Sequence, residues 1–297
     1  MGRQGTSRHG CAYYYKGQSV ESGLYVVATP IGNLGDISAR ALEVLAAVDL
    51  IAAEDTRHSA QLLQHYAIDN TVLAYHEHSD QRAAQRVMQC LAEGGAVALV
   101  SDAGTPLISD PGYRLVREAQ DLGYRVIPLP GPCAAVAALS VSGLPTDRFM
   151  FEGFLPNKSG TRSNRLRELQ QREETLIFYE APHRIEDCLA DLVAVFGADR
   201  EALLAREITK TFETVRRAPL GELLAFVQGD SNQQRGEIVL VVAGLRQRSS
   251  EVDPETARLL QRLAQDLPGK KAAAIVAELS GLRKKLLYDY LLAHPSS

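Results

Sequence analysis

The sequence predicts an α/β protein: a doubly wound parallel sheet in the N-terminal half, a smaller α+β domain after it, and a helical C-terminal segment. Three observations carry this. Short apolar runs of strand length alternate with helical patterns from residue 24 to residue 142. The links between them are brief and rich in Gly, Pro, Asp and Thr. Beyond residue 246 the strand pattern stops, and only amphipathic helical periodicity remains.

Each element has a local reason. Leu24 to Thr29 is a buried-strand run, turned by Pro30-Ile31-Gly32-Asn33. Asp36 or Ser38 can cap a helix over Ala39 to Val48, with Leu42 and Leu45 on its apolar face. Strands follow at Asp49 to Ala53, Thr71 to Tyr75, Ala96 to Val100 and Arg125 to Leu129. Helices are expected over Ser59 to Tyr66, Asp80 to Ala92, Tyr113 to Leu122 and Ala134 to Ser142. Gly143 to Asp147 reads as a linker. The second half carries strands at Phe149 to Phe154, Thr175 to Tyr179, Ala202 to Ile208, Phe212 to Arg217 and Glu237 to Val242, a mixed sheet with helices between. Lys270 to Leu279, Ser280-Gly281, then Leu282 to Ala293 has a helix–turn–helix form. The expected division is a flexible extension over 1–22, domains over 23–144 and 145–245, and a helical domain over 246–297.

Composition narrows the function classes. The chain has 297 residues, 45% hydrophobic and 23% charged, the balance of a globular protein. It has no apolar run of membrane-spanning length, and residues 1–22 contain no signal-peptide core. Four widely spaced cysteines, without Cys-x-x-Cys, suggest reduced thiols in the cytoplasm. No His-Glu-x-x-His occurs, so no metal is expected. The net charge of −4 argues against bulk attraction to nucleic acid, so neither DNA nor membrane is an expected partner and any RNA contact must come from local basic patches.

Candidate chemistry clusters where strands end. Ser101-Asp102-Ala103-Gly104-Thr105-Pro106, running on to Asp110-Pro111-Gly112, is longer than a βα connection needs. It would sit at the carboxyl edge of the sheet, where open α/β folds bind ligands. Asp102 is placed to accept hydrogen bonds from an amino or hydroxyl group. Thr29-Pro30-Ile31-Gly32 occupies the place of a dinucleotide loop but lacks its glycine pattern, and no P-loop is present. Glu54, Asp55 and Arg57 follow the second strand and must be paired, solvated or functional. Arg57 can hold a phosphate, and either acid can act as a base. Pro130-Gly131-Pro132-Cys133-Ala134 feeds a helix through small residues, and Cys133 there reads as packing rather than as a nucleophile. Tyr179 can pack a flat ring. Glu180, Glu207 and Lys210 are proton-transfer candidates, although such groups commonly serve in surface ion pairs.

Two basic segments stand out. Lys158, Arg162, Arg165, Arg167 and Arg172 face only Glu168 over residues 156–172, beginning in a polar stretch that reads as a flexible loop. Lys270, Lys271, Arg283, Lys284 and Lys285 face only Glu278 over residues 268–288. Either can meet a phosphate-rich partner or form a solvated helix face.

Taken in order, Thr29 to Leu34, Glu54 to Arg57, Ser101 to Pro106, Asp110 to Gly112, Leu129 to Pro132, Gly153 to Pro156, Phe178 to Glu180, and Arg206-Glu207 with Thr209-Lys210 resemble the tetrapyrrole methylase superfamily. Within it they look like the family of cytidine 2′-O-methyltransferases of bacterial 16S rRNA. The resemblance covers about residues 24–297. It implies S-adenosylmethionine bound between the two sheet domains, a homodimer, and the small ribosomal subunit as partner. By motif position the cofactor would touch Ile31, Asp102, Thr105, Cys133, Ala134, Tyr179, Glu207 and Glu237. Candidates for the chemistry are Glu54, Asp55, Arg57, Glu180, Glu207 and Lys210, with no ranking among the bases. The basic segments, through Lys158, Arg162, Arg165, Lys270, Lys271, Arg283, Lys284 and Lys285, are expected to contact RNA. A C-methyltransferase acting on a tetrapyrrole remains an alternative from the same fold, and a non-catalytic RNA-binding module a second.

Overall fold

The computed structural model describes residues 20–75, 81–245, 252–280, 282 and 284–294. The expected extension over 1–22 falls almost wholly outside them, as does Arg283. The chain forms two compact units, Met1–Gly244 and Leu245–Ser297. Both sheets belong to the first.

The first sheet is built from β1 (Gly23–Val27), α1 (Ala39–Ala47), β2 (Leu50–Ala53), α2 (Thr56–His65), β3 (Val72–Ala74), α3 (Gln81–Ala92), β4 (Ala96–Val100), α4 (Tyr113–Asp121), β5 (Val126–Leu129) and α5 (Ala134–Ser140). Its strand order is β3-β2-β4-β1-β5, and every pairing is parallel. Strands this apolar are covered on both faces. Tyr25, Val27, Ile51 and Ala53 pack against α1 and α2. Leu24, Leu50, Ala52, Val97 and Leu99 pack against α3 and α4. The helix after β1 therefore lies on one face and the helix after β4 on the other. The neighbouring strands β1 and β4 form the switch point, and the crevice opens beyond their carboxyl ends. Of the two possible caps for α1, Ser38 serves, its hydroxyl accepting from the Ala41 N–H at 3.1 Å.

The second sheet comprises β6 (Phe149–Phe154), α6 (Ser159–Leu169), β7 (Thr175–Glu180), α7 (Ile185–Phe196), β8 (Glu201–Arg206), β9 (Thr214–Pro219), α8 (Leu220–Gly229) and β10 (Ile238–Val242). Its order is β6-β7-β10-β8-β9, with β6 and β7 parallel and the rest antiparallel. Leu176, Phe178, Leu204 and Leu240 face the interior made with α6, α7 and α8. Ile177, Leu203, Ala205, Val239 and Val241 face α5 through Ala135, Ala138 and Leu139. The small residues of α5 let it sit close to this sheet, so the last helix of the first sheet joins the two layers.

Two expectations are corrected here. The strand expected over Ala202 to Ile208 ends at Arg206, because Glu207 turns into the left-handed region at φ 53°. The polar stretch expected as a flexible loop is helical from Ser159 onward. The C-terminal unit contains α9 (Pro254–Asp266), α10 (Gly269–Ser280) and α11 (Lys284–Ala293), packed around Leu260, Ala273, Val276 and Leu287. The Asp253 carboxylate caps α9, accepting from Glu255 N–H and Thr256 N–H, with Pro254 at the first helical position. No helix among the described residues is long and apolar enough to cross a membrane.

Candidate active site

A cleft of about 450 Å³ lies between the two sheets, within the size range of small-molecule sites. Its floor comes from the loops at the carboxyl ends of the first sheet. These loops are tied to one another. Thr29 and Gly104 exchange both backbone hydrogen bonds, at 2.9 and 3.0 Å, fastening the β1 loop to the β4 loop. The Thr105 hydroxyl donates to the Pro132 carbonyl at 2.9 Å, fastening the β4 loop to the Pro-Gly-Pro turn after β5. Asp102 Oδ1 accepts from the Asp55 N–H at 3.0 Å, adding the β2 loop. Leu107 and Ser109 hold φ of 73° and 65° in the same long loop. Non-glycine residues store strain in that region, and such strain concentrates at functional sites.

Ile31, Asp102, Thr105, Cys133, Ala134, Tyr179 and Glu237 all line the cleft. The Tyr179 hydroxyl accepts from the Ala135 N–H at 3.2 Å, and burial pushes its pKa well up, so it stays a neutral phenol. Glu207 does not line the cleft. Its carboxylate sits behind Gly236, accepting from Lys210 Nζ at 2.8 Å and from the Glu237 N–H at 3.0 Å. Burial opposes its ionisation, but these donors outweigh that and hold its pKa below the ordinary value.

The expected proton-transfer groups separate clearly. Glu54 and Glu180 line the cleft. Glu180 is almost fully buried and is bound by Arg184 Nε at 3.2 Å and by the Ala181 N–H at 2.8 Å, so it acts as a brace in the wall. Lys210 does not line the cleft; it is held by Glu207 and Glu237, and its stem lies against Gly32. Burial lowers its pKa, yet the two carboxylates more than reverse that and keep it charged. Asp55 caps α2 and forks onto Arg57, whose guanidinium holds the Asp55 carboxyl well below the usual carboxylate range. The Arg57 side chain is 89% exposed and is not among the lining residues.

Two residues left without a role by the sequence motifs also line the cleft, Asp110 and Phe154. Burial, with Asp102 nearby, raises the Asp110 pKa, partly offset by the Ser101 hydroxyl. Glu54, Asp102, Asp110, Glu180 and Glu237 line the cleft, with the Glu180 carboxylate paired to Arg184 and the Glu237 carboxylate to Lys210, and no Lys, Arg or His is among its described lining residues. Apolar Ile31, Ile208 and Val239 complete it. That set of acceptors suits a ligand with a flat apolar part and cationic groups, and S-adenosylmethionine, which carries an ammonium and a sulfonium beside one carboxylate, fits it.

The basic segment in α6 is corrected. Arg162 is 2% exposed and its Nε donates to Asp191 at 2.6 Å. Arg165 is clamped between Glu152 and Glu168, both at 2.7 Å. Neither presents a free cation; Lys158 remains exposed. In the C-terminal unit, Lys270, Lys271, Lys284 and Lys285 are all exposed.

Comparison with known proteins follows the same lines. The family profile for tetrapyrrole (corrin/porphyrin) methylases matches residues 23–224. The profile for the RsmI C-terminal HTH domain matches residues 250–294. A protein of Escherichia coli O157:H7 named ribosomal RNA small subunit methyltransferase I is 55% identical over 269 residues, covering 91% of this chain and 94% of that one. Its namesake from Pseudomonas aeruginosa is 57% identical over 271 residues, covering 91% and 96%. The chain belongs to the ribosomal RNA small subunit methyltransferase I family of tetrapyrrole methylases. The fold is shared more widely. The Thermus thermophilus uroporphyrin-III-C-methyltransferase structure superposes with a TM-score of 0.53 at 20% identity, covering 75% of this chain and 94% of that one. Diphthine synthase gives 0.57 at 18%, covering 74% and 89%.

Proposed function

We propose that the protein transfers the methyl group of S-adenosylmethionine to small-subunit ribosomal RNA, at the ribose 2′-oxygen of a decoding-region cytidine. The cleft between the sheets is the observation that carries this reading, because apolar side chains beside the acidic residues Asp102 and Asp110, with no basic residue among its described lining, suit a methyl donor that has a flat ring and cationic groups. Family membership and the names of its relatives support the RNA acceptor.

In this reading Asp102, Thr105, Cys133, Ala134 and Tyr179 hold the cofactor, which when bound supplies an electrophilic methyl carbon. The tied loops fix the binding geometry in advance, so alignment costs less at the moment of reaction. A ribose hydroxyl is a weak acid and needs a proton acceptor. Asp110 takes that role, because burial makes its carboxylate a stronger base than an exposed aspartate. Glu180, paired with Arg184, braces the wall, and Glu207, paired with Lys210, stands behind it. The exposed lysines of α10 and α11 meet the RNA backbone, with Lys158 assisting from the first unit. On the family resemblance the protein works as a homodimer in the cytoplasm, and sedimentation equilibrium reads the dimer directly.

The test is transfer of labelled methyl to unmodified 30S subunits, with the product nucleotide mapped. A ribose methyl on one cytidine supports the proposal. Transfer to a uroporphyrinogen-like acceptor, with none to 30S subunits, replaces it with the tetrapyrrole reading. Absence of S-adenosylmethionine binding in calorimetry replaces it with a non-catalytic RNA-binding module.

A further inference from the structure

The structure keeps an aromatic ring uncovered at the cleft wall by an irregularity in its strand. Phe154 lines the cleft with 56% of its surface exposed. In register, Phe151 pairs with Ile177, and Phe154 pairs with Tyr179. Three steps along β6 therefore match two along β7, with the irregularity between Phe151 and Gly153. Side chains alternate faces along a strand, so a regular β6 would turn position 154 away from the face it shares with Tyr179. The bulge puts it on the cleft side, edge-on to Tyr179 with ring centroids 5.8 Å apart.

The bulge is held in place. Gly153 adopts φ 65°, and a Cβ there would lie 3.1 Å from the Ser109 hydroxyl. Glu152, the extra residue, is gripped by Arg165 through Nε at 3.1 Å and Nη2 at 2.7 Å. An arginine that the sequence marks for RNA thus fixes the residue that aims the ring. Tyr179, Phe151 and Phe154 form an aromatic row from the buried α5 face out to the open wall. A bare phenyl face beside a cleft with no basic residue among its described lining suits a flat and largely uncharged ring.

We propose that Phe154 is the platform on which the nucleobase of the target nucleotide stacks, holding it unstacked from its neighbours with its ribose toward the cleft. Aromatic side chains commonly serve unpaired RNA bases in this way. The inference rests on the RNA methyltransferase reading above.

The test compares wild type with Phe154→Leu and Phe154→Tyr, using 30S subunits and S-adenosylmethionine. Steady-state kinetics give KM for 30S, calorimetry gives the cofactor Kd, and a thermal melt checks the fold. The expected result is a rise of about tenfold or more in KM for 30S with Phe154→Leu, from loss of one stacked base. The cofactor Kd stays within about twofold, and Phe154→Tyr restores most of the loss, because it keeps the ring. A weakened cofactor Kd with KM for 30S unchanged overturns the proposal and gives the ring to the adenine of the cofactor. Two unchanged constants also overturn it, as does parallel loss of both with a lowered melting midpoint. A wild-type protein that leaves 30S unmethylated overturns the underlying function instead, so the two failures are told apart.

Discussion

Arg162→Ala separates a surface cation from a buried brace. The Arg162 guanidinium is 2% exposed, and its Nε donates to Asp191 at 2.6 Å. Removing one partner of a buried ion pair costs about 3–5 kcal/mol, because the other charge is left unpaired. Asp191 is 17% exposed and keeps the Ser159 hydroxyl at 2.9 Å, so it regains some water and one donor. That reduces the expected loss to roughly 2–3 kcal/mol. For a unit of this size it corresponds to a melting midpoint lower by roughly 4–12 °C. Calorimetric melts and urea midpoints measure the stability, and filter binding to 30S subunits measures the RNA contact. Arg162→Ala should melt early and bind RNA as wild type does at temperatures where it is folded. The exposed Lys158→Ala should do the reverse, with an unchanged melt and a shallower salt dependence of binding. An Arg162→Ala protein that melts like wild type but loses RNA affinity would refute the reasoning.

Three further outcomes follow from the site. Asp102→Ala should weaken S-adenosylmethionine binding by about 1–3 kcal/mol, the cost of an unmade hydrogen bond in a partly buried site; an unchanged calorimetric Kd would remove Asp102 from the cofactor site. Asp110→Asn should lower kcat by about 10²–10⁴-fold while sparing the cofactor Kd. It should also melt higher than wild type near neutral pH: the native Asp110 pKa is raised, so wild-type stability falls as pH rises from about 4 through that native value, whereas Asn has no ionised form to penalise. The difference should close below about pH 4, and a difference independent of pH would contradict the assigned burial. Thr105→Val removes the 2.9 Å bond to the Pro132 carbonyl and should cost about 1 kcal/mol of stability, with a several-fold weaker cofactor Kd; equal affinities would show that the loops hold their places without it.

The elements of the first sheet were legible because their signals are local. A run such as Ala96 to Val100 is buried on both faces and apolar throughout, and the start of α1 was narrowed to a cap at Asp36 or Ser38, of which Ser38 serves. The loops that carry Asp102, Thr105 and Cys133 were legible for the same reason, since a parallel sheet puts every strand's carboxyl end on one edge. The roles of the charged residues were not. Arg162, Arg165 and Lys158 share one composition signal, yet the first is buried, the second is clamped and the third is solvated. Their partners Asp191 and Glu152 come from other elements. Asp110 stood inside a quoted motif without a role, because its burial depends on how the long loop folds back over the sheet edge. Gly153 in a strand interior was the available sign of a bulge, although the face it would turn toward the cleft could not be read from it.

By itself, the sequence determined the alternation of strands and helices, the sheet edge on which ligand loops gather, the helical character of the C-terminal segment, and the set of residue types available for chemistry. These depend on periodicity, turn residues and capping, which act over a few neighbours. Tertiary structure alone decided which carboxylates face the cleft and which are spent on Arg57, Arg184 or Lys210. It also decided that Glu207 turns behind Gly236 and that Phe154 turns outward at a bulge. Charge pairing and burial are set by contacts between segments tens of residues apart, and a side chain's chemistry follows from the groups around it in space, which its neighbours in the chain do not specify.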